Sequence, residues 1–151
     1  MSNLIGIDPG LKTSGTGIAI FDEKGLLYNG SIHPDPKGSF FQRIREVLAY
    51  IRPLIKRGDE VIVEKTYFKF GNANIAHLKT IGTFEAFFDC DYISPATVKK
   101  LVAGHGRASK DEVKKKVLSL LSVREQILVK LDDDDAVDAI AIAMAWKIQN
   151  A

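Results

Sequence analysis

The stretch Leu4-Ile5-Gly6-Ile7-Asp8-Pro9-Gly10 decides the reading of this chain, because it is a short apolar strand that delivers one aspartate into a glycine-bearing turn. A buried strand has no structural use for a carboxylate, since an unpaired charge there costs several kcal/mol or more. Two further acidic settings match it. Glu64 ends the apolar run Val61-Ile62-Val63, and Asp135 and Asp138 stand at the head of an alanine-rich helix. Carboxylates brought together in this way repel unless a cation lies between them, so the pattern points to a metal site.

Around this stretch, 151 residues with 46% apolar and 26% charged side chains describe one globular domain, long enough for a core flanked by helices. A net charge of +2 does not advertise nucleic acid, but its distribution does. Lys99, Lys100, Arg107, Lys110, Lys114, Lys115 and Lys116 crowd one segment, and Asp132 to Asp135 form an opposing block. Segregated patches of this kind suit a protein that holds phosphates and metal ions together. Cys90 is the single cysteine, which excludes an intramolecular disulfide framework and leaves it as a small core residue. The N-terminus lacks the basic head and apolar run of a signal peptide, and no apolar stretch has the length of a membrane span. The expectation is a soluble, cytoplasmic protein with no membrane partner.

Residues 3–8, 15–21 and 26–32 read as three strands of an antiparallel meander, the second turn being Asp22-Glu23-Lys24-Gly25. Phe40, Ile44, Val47, Leu48, Ile51 and Ile55 keep helical spacing, and residues 60–64 form a fourth strand. A basic and aromatic loop over 65–72 leads into a helix over 73–88, where Gly82 suggests a close helix approach. Tyr92-Ile93-Ser94 closes a fifth strand, Ser94 caps a helix whose first residue is Pro95, and Ser109-Lys110-Asp111-Glu112 is a capping box. The last helix begins near Asp133 and buries Val137, Ile140, Ala141, Met144 and Ile148. This order predicts an α/β fold, a five-stranded mixed sheet with helices on both faces.

Asp135 and Asp138 are three residues apart on a helix and face nearly the same side. If the first and fourth strands are neighbours, Asp8 and Glu64 meet that pair. Such a set suits Mg²⁺ or Mn²⁺. Two ions about 4 Å apart activate a water and stabilise the leaving oxygen in phosphodiester hydrolysis. The four consecutive aspartates leave the third ligand open between Asp134 and Asp135, because Asp134 and Asp138 also share a helix face.

These motifs together resemble the RuvC family of Holliday-junction resolvases, which have the ribonuclease H-like fold. Ile5 to Gly10 with Gly15-Thr16-Gly17 is similar to the family's opening motif, and Val63-Glu64-Lys65 with Asn72-Ala73 to its second. The segment from Val98 to Gly106, with Lys110 and Val113, resembles its basic region. Asp135-Ala136-Val137-Asp138 and the alanine-rich run to Ala143 resemble its closing motif. The resemblance implies Asp8, Glu64, Asp135 and Asp138 as catalytic, metal-binding carboxylates, with two ions in the site. It implies Lys110 near the cleaved phosphate and Lys99 in contact with DNA. Tyr67 and Phe68 fall where family members carry an aromatic that works at the junction centre, either of the two being eligible. Lys65, Lys69, Lys100, Arg107 and Lys114 complete the expected DNA-binding set. Family members are homodimers that nick two opposed strands of a four-way DNA junction, and the helix after Asn72 resembles the dimer-forming one. His105 stands where a small apolar residue is expected, and the C-terminus is shorter than in bacterial members, as in a compact phage-type protein acting in its host's cytoplasm.

Taken singly, these residues have plainer readings. Asp8 before Pro9 reads as a turn residue, and Asp132 and Asp133 as helix-capping charges. Lys114 to Lys116 read as a solvated face, His77 as a satisfied histidine and Trp146 as a packing residue. Tyr67, Phe68 and Phe70 read equally as loop anchors, although interleaving with Lys65 and Lys69 suits base stacking with phosphate contact. Three other functions compete with junction cleavage. They are an RNA-processing nuclease of the same superfold, a non-catalytic binder of branched DNA, and a nucleotide-binding module of the actin and sugar-kinase type. For the last, 151 residues leave no room.

Overall fold

Strand alternation sets which residues face which layer, and the computed structural model, which describes residues 1–11, 14–65 and 75–151, follows it closely. Strands β1 (Leu4–Asp8), β2 (Thr16–Asp22) and β3 (Gly25–Ile32) form the antiparallel meander. Strands β4 (Glu60–Glu64) and β5 (Cys90–Ile93) add on in parallel beyond β1, giving the order β3-β2-β1-β4-β5. Ile5, Ile7, Ile18, Ile20, Val61 and Val63 point to one face, where α1 (Phe40–Ile51) and α2 (Ile75–Phe87) cover them with Ile44, Val47, Ile51, Ile81 and Phe84. Ala19, Phe21 and Ile62 point to the other face, against α6 (Asp134–Gln149), with α3 (Pro95–Ala103) and α4 (Lys110–Leu120) behind it. The expected mixed sheet with helices on both faces is therefore present.

Helix α6 lies across the sheet because two glycines let it. A Cβ on Gly6 would meet the carbonyl oxygen of Ala139, and one on Gly17 would meet that of Asp135. With small residues on both surfaces the helix sinks into the core. Ala136, Val137, Ala139 through Met144 and Ala145 are all buried, so the buried face is far broader than the five-residue stripe predicted. Ile148 is the correction to that stripe, since it lies at the exposed end of the helix.

Local signals place the remaining boundaries. The helix predicted through Ile55 stops at Ile51 and tightens into a 3₁₀ turn over Arg52–Leu54, because Pro53 has no N–H to continue it. Ser94 accepts from the Thr97 N–H and Pro95 opens α3, as expected. Ser109 accepts from the Glu112 N–H to start α4, but the Glu112 carboxylate does not return to the cap; it binds His105 at 3.0 Å. A short helix, α5 (Val123–Leu128), was not foreseen, and its capping box of Ser122 and Glu125 is complete. Gly82 has no described atom of this chain within 4 Å of where a Cβ would stand, so the close helix approach is not made within the chain's described residues. Cys90 is half-buried in β5, and Trp146 packs on the core while its indole N–H donates to Glu60 at 2.6 Å. Among the described residues, no helix is long and apolar enough to cross a membrane.

Candidate active site

Parallel pairing of Ile7 with Val63 sets the next residues, Asp8 and Glu64, side by side at the carboxyl ends of β1 and β4. Both follow the parity of Gly6 and Ile62, so both point toward α6 rather than toward α1. The helix meets them with its first turns. Asp133 caps it by accepting the Ala136 N–H at 3.1 Å, which fixes the rotation that presents Asp135 and Asp138 to the sheet. One carboxylate oxygen each from Asp8, Asp135 and Asp138 lie within 4.8 Å of one another. With Glu64 they line a cleft of about 280 Å³, whose other walls include Ser14, Lys99 and Lys110.

Asp134 and Asp135, both candidates for the third ligand, are placed differently. Asp134 points away from the cleft, 74% exposed, and pairs with Lys114 at 3.7 Å. Asp135 is 13% exposed and lines the cleft, where its Oδ2 accepts the Gly15 N–H at 3.0 Å. The Asp135 and Asp138 pair, three apart on the helix, is thus the pair that meets Asp8.

Electrostatics in the cleft are those of a cation site. Burial, reinforced by Glu64, Asp138 and Asp135, pushes the Asp8 carboxyl up to about 8, with Lys110 only partly offsetting. Burial and Asp138 push Glu64 up to about 7, against the pull of Lys99 and Lys110. Asp138 is also raised, by burial first, with Lys110 opposing and Asp135 and Asp134 reinforcing. Three desolvated carboxylates, with Asp135 gathered beside them and too little local positive charge, fit a hard divalent cation: the oxygens are already close, and a bound ion would relieve the repulsion. The acidic residues can therefore form a metal site.

The cations expected to meet DNA divide into groups. Lys110 and Lys99 line the cleft, Lys110 Nζ lying 3.7 Å from Asp138 Oδ2. Lys100 and Arg107 are exposed on α3 and on the turn after it. Lys65 sits just past Glu64 with Nζ 4.5 Å above the Tyr92 ring. Lys114 stands apart, since its ammonium donates to the Leu131 carbonyl at 2.7 Å beside Asp134, which ties α4 to the loop before α6. Tyr67, Phe68, Lys69, Phe70, Asn72 and Ala73 lie outside the described residues. His77, on α2, has its pKa lowered by burial and by Lys65.

Sequence reasoning missed His33. Its Nε2 lies 3.4 Å from Asp135 Oδ2 and 3.2 Å from Ser31 Oγ. The signal was present in outline: Ser31 and His33 alternate on one face at the end of β3, and Ser31 pairs with Gly17, the residue beneath Asp135.

The arrangement has counterparts among known proteins. The family model described as Crossover junction endodeoxyribonuclease RuvC matches residues 4–146. The chain belongs to the RuvC family. A RuvC from Parasynechococcus marenigrum is 33% identical, the match covering 97% of this chain and 98% of that protein. One from Dechloromonas aromatica is 32% identical over 94% of this chain and 82% of that protein. Among solved structures, Thermus thermophilus RuvC in complex with a Holliday junction substrate superposes with a TM-score of 0.74 at 26% identity, covering 99% of this chain and 95% of that one. The fold is accordingly the ribonuclease H-like fold of RuvC. The fowlpox virus resolvase, at 17% identity and a TM-score of 0.57, shares that fold.

Proposed function

We propose that this RuvC-family chain is a single nuclease domain, working as a homodimer, that resolves four-way DNA junctions by paired symmetric nicks. The observation that carries the reading is the meeting of Asp8, Glu64, Asp135 and Asp138 in one cleft, with Lys99 and Lys110 on its wall. Asp8, Glu64, Asp135 and Asp138 are the metal-binding catalytic carboxylates. They would hold two Mg²⁺ ions, replaceable by Mn²⁺, which would supply water activation and charge stabilisation for phosphodiester hydrolysis.

The protein's own groups do the rest. The carboxylates gather oxygens that need little further reorganisation, and a cation held there would offset the charge that a phosphate meets in the cleft. Lys110, close to Asp138, is placed to neutralise a non-bridging oxygen of the scissile phosphate. Lys99 continues that positive edge, and Lys100, Arg107 and Lys65 extend it as phosphate contacts that position the backbone without reading bases. Lys69 and the aromatics Tyr67 and Phe68 complete the proposed DNA surface from the loop beyond Lys65. In this assignment the Lys114 contacts make it a brace for α6 before they make it a DNA contact.

The test is cleavage of a labelled synthetic four-way junction beside a linear duplex of the same sequence, each with Mg²⁺, Mn²⁺ or chelator. Metal-dependent, paired nicks confined to the junction are expected. Binding without cutting under every metal would make the protein a non-catalytic junction binder, and RNA degraded with the junction left intact would make it an RNA nuclease.

A further inference from the structure

We infer that His33 is a positioning residue for Asp135, and through it for metal loading, an assignment that rests on Asp135 being a ligand as proposed above. Three contacts at the end of β3 carry it. Ser31 Oγ donates its hydroxyl proton to Asp133 Oδ2 at 2.7 Å. With its proton so committed, Ser31 offers a lone pair to His33 Nε2 at 3.2 Å, which requires the proton on Nε2. The same Nε2–H faces Asp135 Oδ2 at 3.4 Å. Asp135 Oδ2 also accepts the Gly15 N–H at 3.0 Å, so the oxygen that this amide holds is the one the His33 ring faces.

The backbone is built to admit the ring. A Cβ on Gly15 would lie 2.8 Å from His33 Cε1 and Nδ1, so the imidazole packs over a residue that must lack a side chain. Gly15 thereby donates to Asp135 and makes room for the second donor. Asp133 locks the other end, with Oδ1 capping α6 and Oδ2 held by Ser31. Strand β3 thus fixes both the start of the helix and the orientation of its first cleft carboxylate. Such outer contacts commonly change metal affinity about 10-fold to 100-fold when removed.

The experiment compares wild type, His33→Ala and His33→Gln in two readouts: the rise in melting temperature on titration with Mg²⁺ or Mn²⁺, and the metal dependence of junction cleavage. His33→Ala is expected to shift the half-saturating concentration of both metals upward about 10-fold. His33→Gln, which keeps an N–H donor, should recover most of that shift. Equal metal response in wild type and both variants overturns the inference. So does a loss confined to Mn²⁺ without recovery by Gln, which would make the imidazole itself a ligand, since nitrogen ligands suit Mn²⁺ better than Mg²⁺. If wild type neither gains stability with metal nor cleaves the junction, the ligand assignment of Asp135 fails and takes this inference with it. A wild type that responds while the variants match it refutes the His33 role alone.

Discussion

Replacing Asp8 by Asn should make the metal-free protein more stable and the metal-loaded protein less so. Asp8 keeps its proton in the folded state up to about 8, whereas the unfolded carboxyl loses it near 3.8. Between those values unfolding releases a proton, so the metal-free stability falls as pH rises through that window. Holding Asp8 neutral at about pH 7 costs about 4 kcal/mol, at about 1.4 kcal/mol for each step above 3.8. Glu64, itself pushed up to about 7, shares the burden, because the two carboxylates titrate together. Asn keeps the shape and removes the charge, so about half the cost, about 2 kcal/mol, should return. For a domain of this size that is a melting temperature higher by about 4–8 °C in chelator. Saturating Mg²⁺ reverses the order, since wild type gains about 2.7 kcal/mol at a hundredfold excess over Kd and the variant gains little. Differential scanning fluorimetry across pH, with chelator or Mg²⁺, reads both effects. An Asn variant less stable than wild type without metal, or a metal-free wild type that strengthens as pH rises, would refute the reasoning.

Other substitutions probe the fold and the site separately. Gly17→Ala forces a Cβ into the Asp135 backbone; pushing α6 off the sheet should cost about 1–3 kcal/mol in urea unfolding and lower cleavage with it. Asn29 is buried, with Nδ2 donating to the Leu128 carbonyl at 2.8 Å and Oδ1 accepting the Lys130 N–H at 3.0 Å. Asn29→Ala strands both backbone groups and should cost about 2–3 kcal/mol while junction cleavage by the folded fraction persists. Lys110→Ala should lower the single-turnover cleavage rate about 100-fold with little change in melting temperature, because the ammonium is exposed in the absence of DNA. Lys100→Ala and Arg107→Ala should each weaken junction binding uniformly across sequences and reduce the salt dependence of affinity by about one ion, measured by titration at several salt concentrations.

How much of this was legible in the sequence depended on whether the signal was local. Strand alternation, Ser94 with Pro95, and the Asp135 and Asp138 spacing are local, and each placed its element. The breadth of the α6 burial was not, because an alanine-rich helix shows no sharp stripe; only Gly6 and Gly17, far away in sequence, make its whole near side a core surface. Asp134 and Asp135 were indistinguishable by spacing, and the difference between them is a rotation of the helix set by the Asp133 cap and the Gly15 N–H. His33 escaped notice because a histidine after a strand carries no meaning until the strand order places β3 beside β2 and α6 above both. Helix α5 lies in a polar stretch too short for periodicity, although its Ser122 and Glu125 cap was readable.

The central claim is that the four gathered carboxylates are the centre that cleaves a four-way junction. Its most direct test is single-turnover cleavage of a labelled junction by wild type and by Asp138→Asn, at protein concentrations that saturate binding for both and over a range of Mg²⁺. Equal junction affinity, metal-dependent cleavage by wild type and loss of cleavage in the variant are expected. An Asp138→Asn protein that cuts the junction at the wild-type rate would contradict that claim.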